Sequence, residues 1–186
     1  MTSAASRSED STGARPRVLV AGVGNIFLGD DGFGPEVARR LSGANSSGSP
    51  PGVLPTGVRV VDYGIRGMHL AYDLLDGWDA LVLADLVPSH GHPGRLSVLE
   101  VGAEDLAGGE LDAHGMDPAA MLSNLDRLGA RLPRTILLGC EPESVDEGIG
   151  LSAPVAAAVE EALVRVRSVL ASVTEDTLAR TGGGAA

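Results

Sequence analysis

Two adjacent acids, Asp30 and Asp31, follow the run GVGN inside the segment Val18 to Leu41, VLVAGVGNIFLGDDGFGPEVARRL. A glycine-rich turn behind an apolar run commonly cradles a dinucleotide or a phosphate. Here the spacing goes from Gly22 and Gly24 to Gly29, so the third glycine of G-x-G-x-x-G is missing, and no G-K-[ST] follows. Phosphates are held by helix N-terminal N–H groups and positive charge. This turn puts two carboxylates at that place, where a pyrophosphate would be repelled. One aspartate there is explained by helix capping and the helix dipole; two after GxGN fit a cation better than an anion.

A second acid of interest is Asp85, which ends the apolar run ALVLA, Ala80 to Ala84. Imidazole would complete a donor set able to hold Zn²⁺ or Ni²⁺ with positions left open for water or substrate. Four histidines are available: His69, His90, His92 and His114. His69 falls on a helix surface. His90 and His92, as H-G-H, have the spacing of a metal clip, or are two solvated loop side chains. His114, in LDAHGMDP, precedes a helix and can reach the same end of the sheet. Composition and spacing leave His114 and the His90/His92 pair as equal candidates. Asp62 ends the second strand at that edge and is an accessory candidate, or a turn cap.

The elements that must position these groups follow from hydrophobic period. Val18 to Ala21 is a buried strand. Val37, Ala38 and Leu41 form the inner face of a helix, with Arg39 and Arg40 outward and Pro35 near its first turn. Val58 to Val61 is a second strand. YGIRG leads into a helix from about Met68 to Leu75, with Met68, Ala71, Leu74 and Leu75 on one face. Ala80 to Ala84 reads as a central parallel strand covered on both sides. Arg95 to Val101 is a further strand, Gly102 to Asp117 a long loop, Pro118 to Leu128 a helix with Met121, Leu122 and Leu125 inward, and Thr135 to Gly139 the last strand. A helix from Ala153 to about Val173 closes the domain. This order predicts an α/β fold: one domain, an open, twisted, mostly parallel sheet with helices on both faces. Ligands of such sheets bind outside the carboxyl ends of the strands where strand order reverses. Asp31 and Asp85, following strands one and three, fall at that end on expected neighbours. Arginines such as Arg66 could neutralise them.

Residues 1–16 read as a disordered leader, 17–173 as the domain and 174–186 as a disordered tail. At 186 residues the chain has enough length for a full core, built from Val, Leu, Ile and Ala because aromatics are only 3%. A net charge of −11 argues against a nucleic-acid-binding surface. All 14 basic residues are arginine, so Schiff-base and lysine general-base chemistry are excluded. The one cysteine, Cys140, excludes an internal disulfide and a Cys-cluster zinc site. Apolar runs are too short to span a membrane, and the N-terminus has no signal-like apolar region. The expectation is a cytoplasmic monomer without membrane or nucleic-acid partners.

The segment G-x-G-N-x-x-x-x-D-D-G-x-G with its following V-A-R-R-L helix resembles the amino-terminal signature of the hydrogenase maturation proteases. DYGIRGMHL, LVLADLV, LDAHGMDP and LLGCEPESVDEGIGLSAPV resemble that family's later segments, in order, from about Arg17 to Val155. The resemblance implies a phosphorylase/hydrolase-like fold and an endopeptidase. Such an enzyme removes the C-terminal extension of a nickel–iron hydrogenase large-subunit precursor after nickel insertion, cutting behind the basic residue or histidine of a D-P-C-x-x-C-x-x-[HR] motif. It further implies that Asp31, Asp85 and His114 are the metal-binding and catalytic residues, and that Gly64, Ile65, Arg66 and Gly67 line the cleft where substrate docks. The metal implied is nickel presented by the substrate, with zinc or another divalent ion as an alternative. Around His114, Asp112, Ala113 and Gly115 depart from the Ser-Pro and Gln common in the family. A non-hydrolytic nickel- or precursor-binding chaperone would use the same ligands. A cysteine peptidase would instead use Cys140 with a histidine, but Cys140 follows an apolar strand and a buried structural role is the stronger reading of it. Glu141 and Glu143 stand near the last strand's end, where capping or solvent exposure accounts for them.

Overall fold

Short apolar runs bounded by glycine and aspartate become five strands. The computed structural model describes residues 15–43, 54–102, 105, 125–129 and 131–182. The strands are β1 (Val18–Val23), β2 (Val58–Gly64), β3 (Ala80–Leu86), β4 (Leu96–Val101) and β5 (Arg134–Cys140), and the helices α1 (Phe33–Leu41), α2 (Gly67–Leu74) and α3 (Ala153–Gly182). They form one sheet in the order β2-β1-β3-β5-β4. β2, β1, β3 and β5 are mutually parallel, and β4 alone runs antiparallel, against β5.

Strand alternation sorts the core into two layers. Val18 and Val20 of β1, Ala80, Val82 and Ala84 of β3, and Ile136 and Leu138 of β5 face α1 and α3. Leu19, Ala21 and Val23, with Leu81, Leu83 and Leu137, face α2 and Leu125. β1 and β3 are therefore buried on both sides, as their unbroken apolar runs require. The mostly parallel sheet with helices on both faces is the expected α/β architecture.

Strand order reverses between β1 and β3, because β2 lies on one side of β1 and β3 on the other. Helix α1 starts against that junction. A Cβ on Gly34 would stand 2.2 Å from the Val23 carbonyl oxygen and 2.3 Å from that of Ala84, and one on Gly22 would stand 2.2 Å from the Gly34 oxygen. Those neighbours are backbone and cannot turn aside. The glycines of the GxG…DGxG run thus let the first turn of α1 sit directly on the ends of β1 and β3.

Two expectations need correction. On α2 the buried side chains are Leu70, Ala71 and Leu74, while Met68 (46% exposed) and Leu75 (42%) face outward. The helix is barely two turns long, and its apolar residues surround it widely enough that spacing alone admits more than one inner face. The closing helix also continues beyond Val173 to Gly182. Of the segment expected to be helical from Pro118, residues Leu125–Leu128 form a 3-10 turn with Leu125 buried. Met121 and Leu122 lie outside the described residues, as does the expected leader apart from Arg15 and Pro16.

Candidate active site

The two adjacent acids have different surroundings. Asp30 points into the protein and is 1% exposed. Its Oδ2 accepts the N–H groups of Glu143 (2.8 Å) and Ser144 (3.1 Å) and the Ser152 hydroxyl (2.9 Å), and its Oδ1 accepts the Ser152 N–H (2.6 Å). Burial would raise its pKa, but the donors from Ser152, Ser144 and Glu143 together outweigh that and hold the carboxyl below its ordinary value. Asp30 is therefore an ionised clasp. It ties the turn after β1 to the 143–152 segment, reinforced by Asp30 N–H to Ser144 O (3.1 Å) and Gly29 N–H to Gly148 O (3.0 Å).

Asp31 is half-buried in the 3-10 turn that follows the carboxyl end of β1. Its Oδ2 accepts the Asn25 N–H at 2.8 Å, which folds the turn back over Gly24. Gly24 has φ +133°, and a Cβ there would stand 2.0 Å from the Asp31 carbonyl oxygen, so the close approach needs glycine. Asp85, also half-buried, lies near the end of β3, and its Oδ1 accepts the Leu86 N–H at 2.8 Å. β1 and β3 are adjacent, with Gly22 opposite Ala84. The acids thus emerge at the topological switch point, each with one oxygen oriented by a backbone N–H. Such fixed carboxylates suit a hard or borderline divalent cation.

The remaining candidates divide. His114 lies outside the described residues. His69 is exposed on α2, as expected. His90 and His92 are exposed in side chain, but their backbone N–H groups donate to Oε2 of Glu141 at 2.7 and 3.1 Å. Glu141, 3% exposed, is thus neither solvated nor a helix cap. Those backbone donors, His90 first, hold its pKa below the ordinary value. No pattern in the sequence announces this clasp. Among the described residues, no group of three His, Cys, Asp or Glu side chains is placed to hold a metal ion.

Asp62 is exposed and its Oδ1 accepts the Gly64 N–H at 2.9 Å, the geometry of a turn cap. Gly64, at φ +53°, accepts the Gly24 N–H at 3.1 Å, which sets the Gly64–Gly67 loop beside the Asp31 turn. Ile65 is 51% exposed there. The Arg66 guanidinium donates to the carbonyls of Tyr63 (3.0 Å) and Asp62 (2.7 Å), capping the end of β2. A surface hollow of about 600 Å³ between Glu100–Gly102 and Arg131–Thr135 lies at the opposite end of β5 from these acids.

Cys140 is fully buried, and burial, followed by the charges of Asp30 and Glu141, pushes its thiol up to about 12. A nucleophilic cysteine needs the reverse, exposure and a depressed pKa. Cys140→Ala should cleave substrate at the wild-type rate, and iodoacetamide should leave wild type active at pH 8.

Solved structures similar to this chain include endopeptidases. The chain superposes on the hydrogenase-maturating endopeptidase HybD of Escherichia coli with a TM-score of 0.69 and 31% identity, over 84% of this chain and 93% of that one. A hydrogenase 2 maturation peptidase from a Thaumarchaeota archaeon gives a TM-score of 0.61 at 37% identity, over 83% and 98%. The class is that of a proteolytic enzyme. In sequence, the hydrogenase 2 maturation protease of Escherichia coli K12 is 34% identical over 83% of this chain and 90% of its own length. A family model described as hydrogenase maturation protease (HycI) matches residues 37–169. The chain belongs to the hydrogenase maturation protease family. The matched span includes Asp85 and His114 and begins just after Asp31, so that acid stands on the geometry of the turn.

Proposed function

We propose that this protein removes the C-terminal extension of a nickel-loaded nickel–iron hydrogenase large-subunit precursor, with Asp31, Asp85 and His114 as the side chains that engage the metal. The observation that carries the reading is that Asp31, in the turn after β1, and Asp85, near the end of β3, follow adjacent parallel strands at the switch point, and each accepts a backbone N–H. Two carboxylates and one imidazole form a mixed oxygen and nitrogen set suited to nickel, and zinc or another divalent ion would accept the same donors. Nickel enters as part of the substrate: a precursor that carries it gains ligands at the cleft, and one that lacks it does not. When bound, the metal supplies Lewis-acid stabilisation at the cleft. The chain's own residues orient the ligand carboxylates and present the Gly64–Gly67 loop beside them for the peptide. The reading places the protein on its substrate in the cytoplasm.

The test compares wild type, His114→Ala and the double variant His90→Ala/His92→Ala on nickel-loaded precursor, with mass spectrometry of the product C-terminus. Loss of cleavage in His114→Ala alone supports the ligand set. Loss in the double variant alone moves the imidazole to the H-G-H loop. Binding by wild type without peptide release would instead describe a maturation chaperone.

A further inference from the structure

The turn after β1 presents large apolar side chains to solvent on a rigid base. Phe27 is 60% exposed and Ile149 80%, with Ile26 beside them at 48%. They flank one isolated bridge: Leu28 and Gly148 pair in parallel, Gly148 N–H donates to Phe27 O at 2.9 Å, and Gly29 N–H to Gly148 O at 3.0 Å. Next to that bridge Phe27, Glu147 and Ile149 are exposed, while Leu28 is half-buried. The Asp30 clasp holds the two segments of that bridge together through Glu143, Ser144 and Ser152. Exposed Phe and Ile on a loosely tethered loop would collapse inward; here the backbone is held and they cannot.

The charged side chains of the 143–147 segment that borders this lip are all acidic. Glu143, Asp146 and Glu147 are exposed, and among the described residues none pairs with an arginine. From Thr135 to Val164 the sequence has no basic residue or histidine. Of the arginines in neighbouring segments, Arg95 accepts the Glu141 N–H through its carbonyl at 3.0 Å, and the Arg66 guanidinium is engaged by the carbonyls of Tyr63 and Asp62. A preformed apolar lip with an acidic border complements a segment that carries apolar side chains next to arginine or lysine.

We propose that the Phe27–Ile149 lip with Glu143 and Glu147 is a docking surface for an apolar and basic segment of the precursor, adjacent to Asp31. The proposal rests on the function proposed above. A second copy of the chain is a poorer occupant, because self-association would set the acidic border against itself.

Steady-state cleavage of nickel-loaded precursor by wild type, Ile149→Asp, Glu143→Lys/Glu147→Lys and a control, Val164→Ser on the exposed side of α3, tests this. Ile149 is so exposed that its replacement leaves the fold intact, which thermal melting checks. The expected result is a rise in KM of about tenfold or more for both lip variants, with kcat moving far less and the control unchanged. Added salt should raise KM for wild type and lose that effect in the charge-reversed variant. Unchanged KM in both lip variants beside an active wild type would overturn the docking surface and leave the protease reading standing. A wild type that neither binds nor cleaves the precursor would overturn both. A wild-type dimer that Ile149→Asp dissociates would give the lip to a second copy and overturn the precursor as its occupant.

Discussion

Asp31→Asn and Asp85→Asn should each lower cleavage of nickel-loaded precursor by more than about a hundredfold, with thermal midpoints close to wild type. Loss of a group that merely supports a metal ligand costs about 10–100-fold, and loss of the ligand itself should cost more. Asparagine is the informative replacement. Its amide oxygen can still accept the Asn25 N–H that Asp31 Oδ2 accepts at 2.8 Å, and the Leu86 N–H that Asp85 Oδ1 accepts at 2.8 Å. The turn and the strand end are therefore kept while the negative charge is removed. Full activity in either variant, measured by mass spectrometry of the product, would remove that acid from the site.

The neighbouring acid should behave in the opposite way. Asp30→Ala leaves three backbone N–H groups and the Ser152 hydroxyl without their buried acceptor. The expected loss is about 3 kcal/mol or more, read as a shift in the urea midpoint, because each such donor costs about 1–3 kcal/mol when left unpaired. Asp30→Asn should recover little, since its NH₂ faces donors rather than acceptors. The pH dependence has a definite sign. Asp30 is held below its ordinary value of 3.8 in the folded protein, so below that pH the unfolded chain binds the proton more readily. The stability it contributes is complete above about pH 4 and is lost as pH falls through the folded-state value. Wild type should thus lose more stability as pH falls below about 4 than the Asp30 variants, which keep only the acid dependence of other carboxylates such as Glu141, while all three are compared at pH 7 for activity.

That contrast between Asp30 and Asp31 marks the limit of what the sequence could show. Apolar runs and their glycine boundaries were enough to place β1 beside β3 and to bring Asp31 and Asp85 to one edge, because parallel order and strand burial are local signals read together. The two aspartates, however, are identical in the chain. Only contacts 113 and 122 residues away decide that the first turns inward and the second stays at the cleft. Glu141 was obscured for the same reason: its partners are backbone N–H groups of His90 and His92, and backbone donors leave no trace in residue types. The inner face of α2 went to Leu70 rather than Met68 because a short helix offers too few turns for its period to choose. Arg66, which could have neutralised the acids, instead caps carbonyls at the end of β2, a role its type does not signal.

The most direct measurement is cleavage of one precursor preparation divided in two, loaded with nickel or kept free of it, incubated with the wild-type protein and read by mass spectrometry at the C-terminus. The account predicts release of the extension only from the nickel-loaded half. Equal cleavage of both halves would contradict metal-dependent engagement at the Asp31 and Asp85 edge.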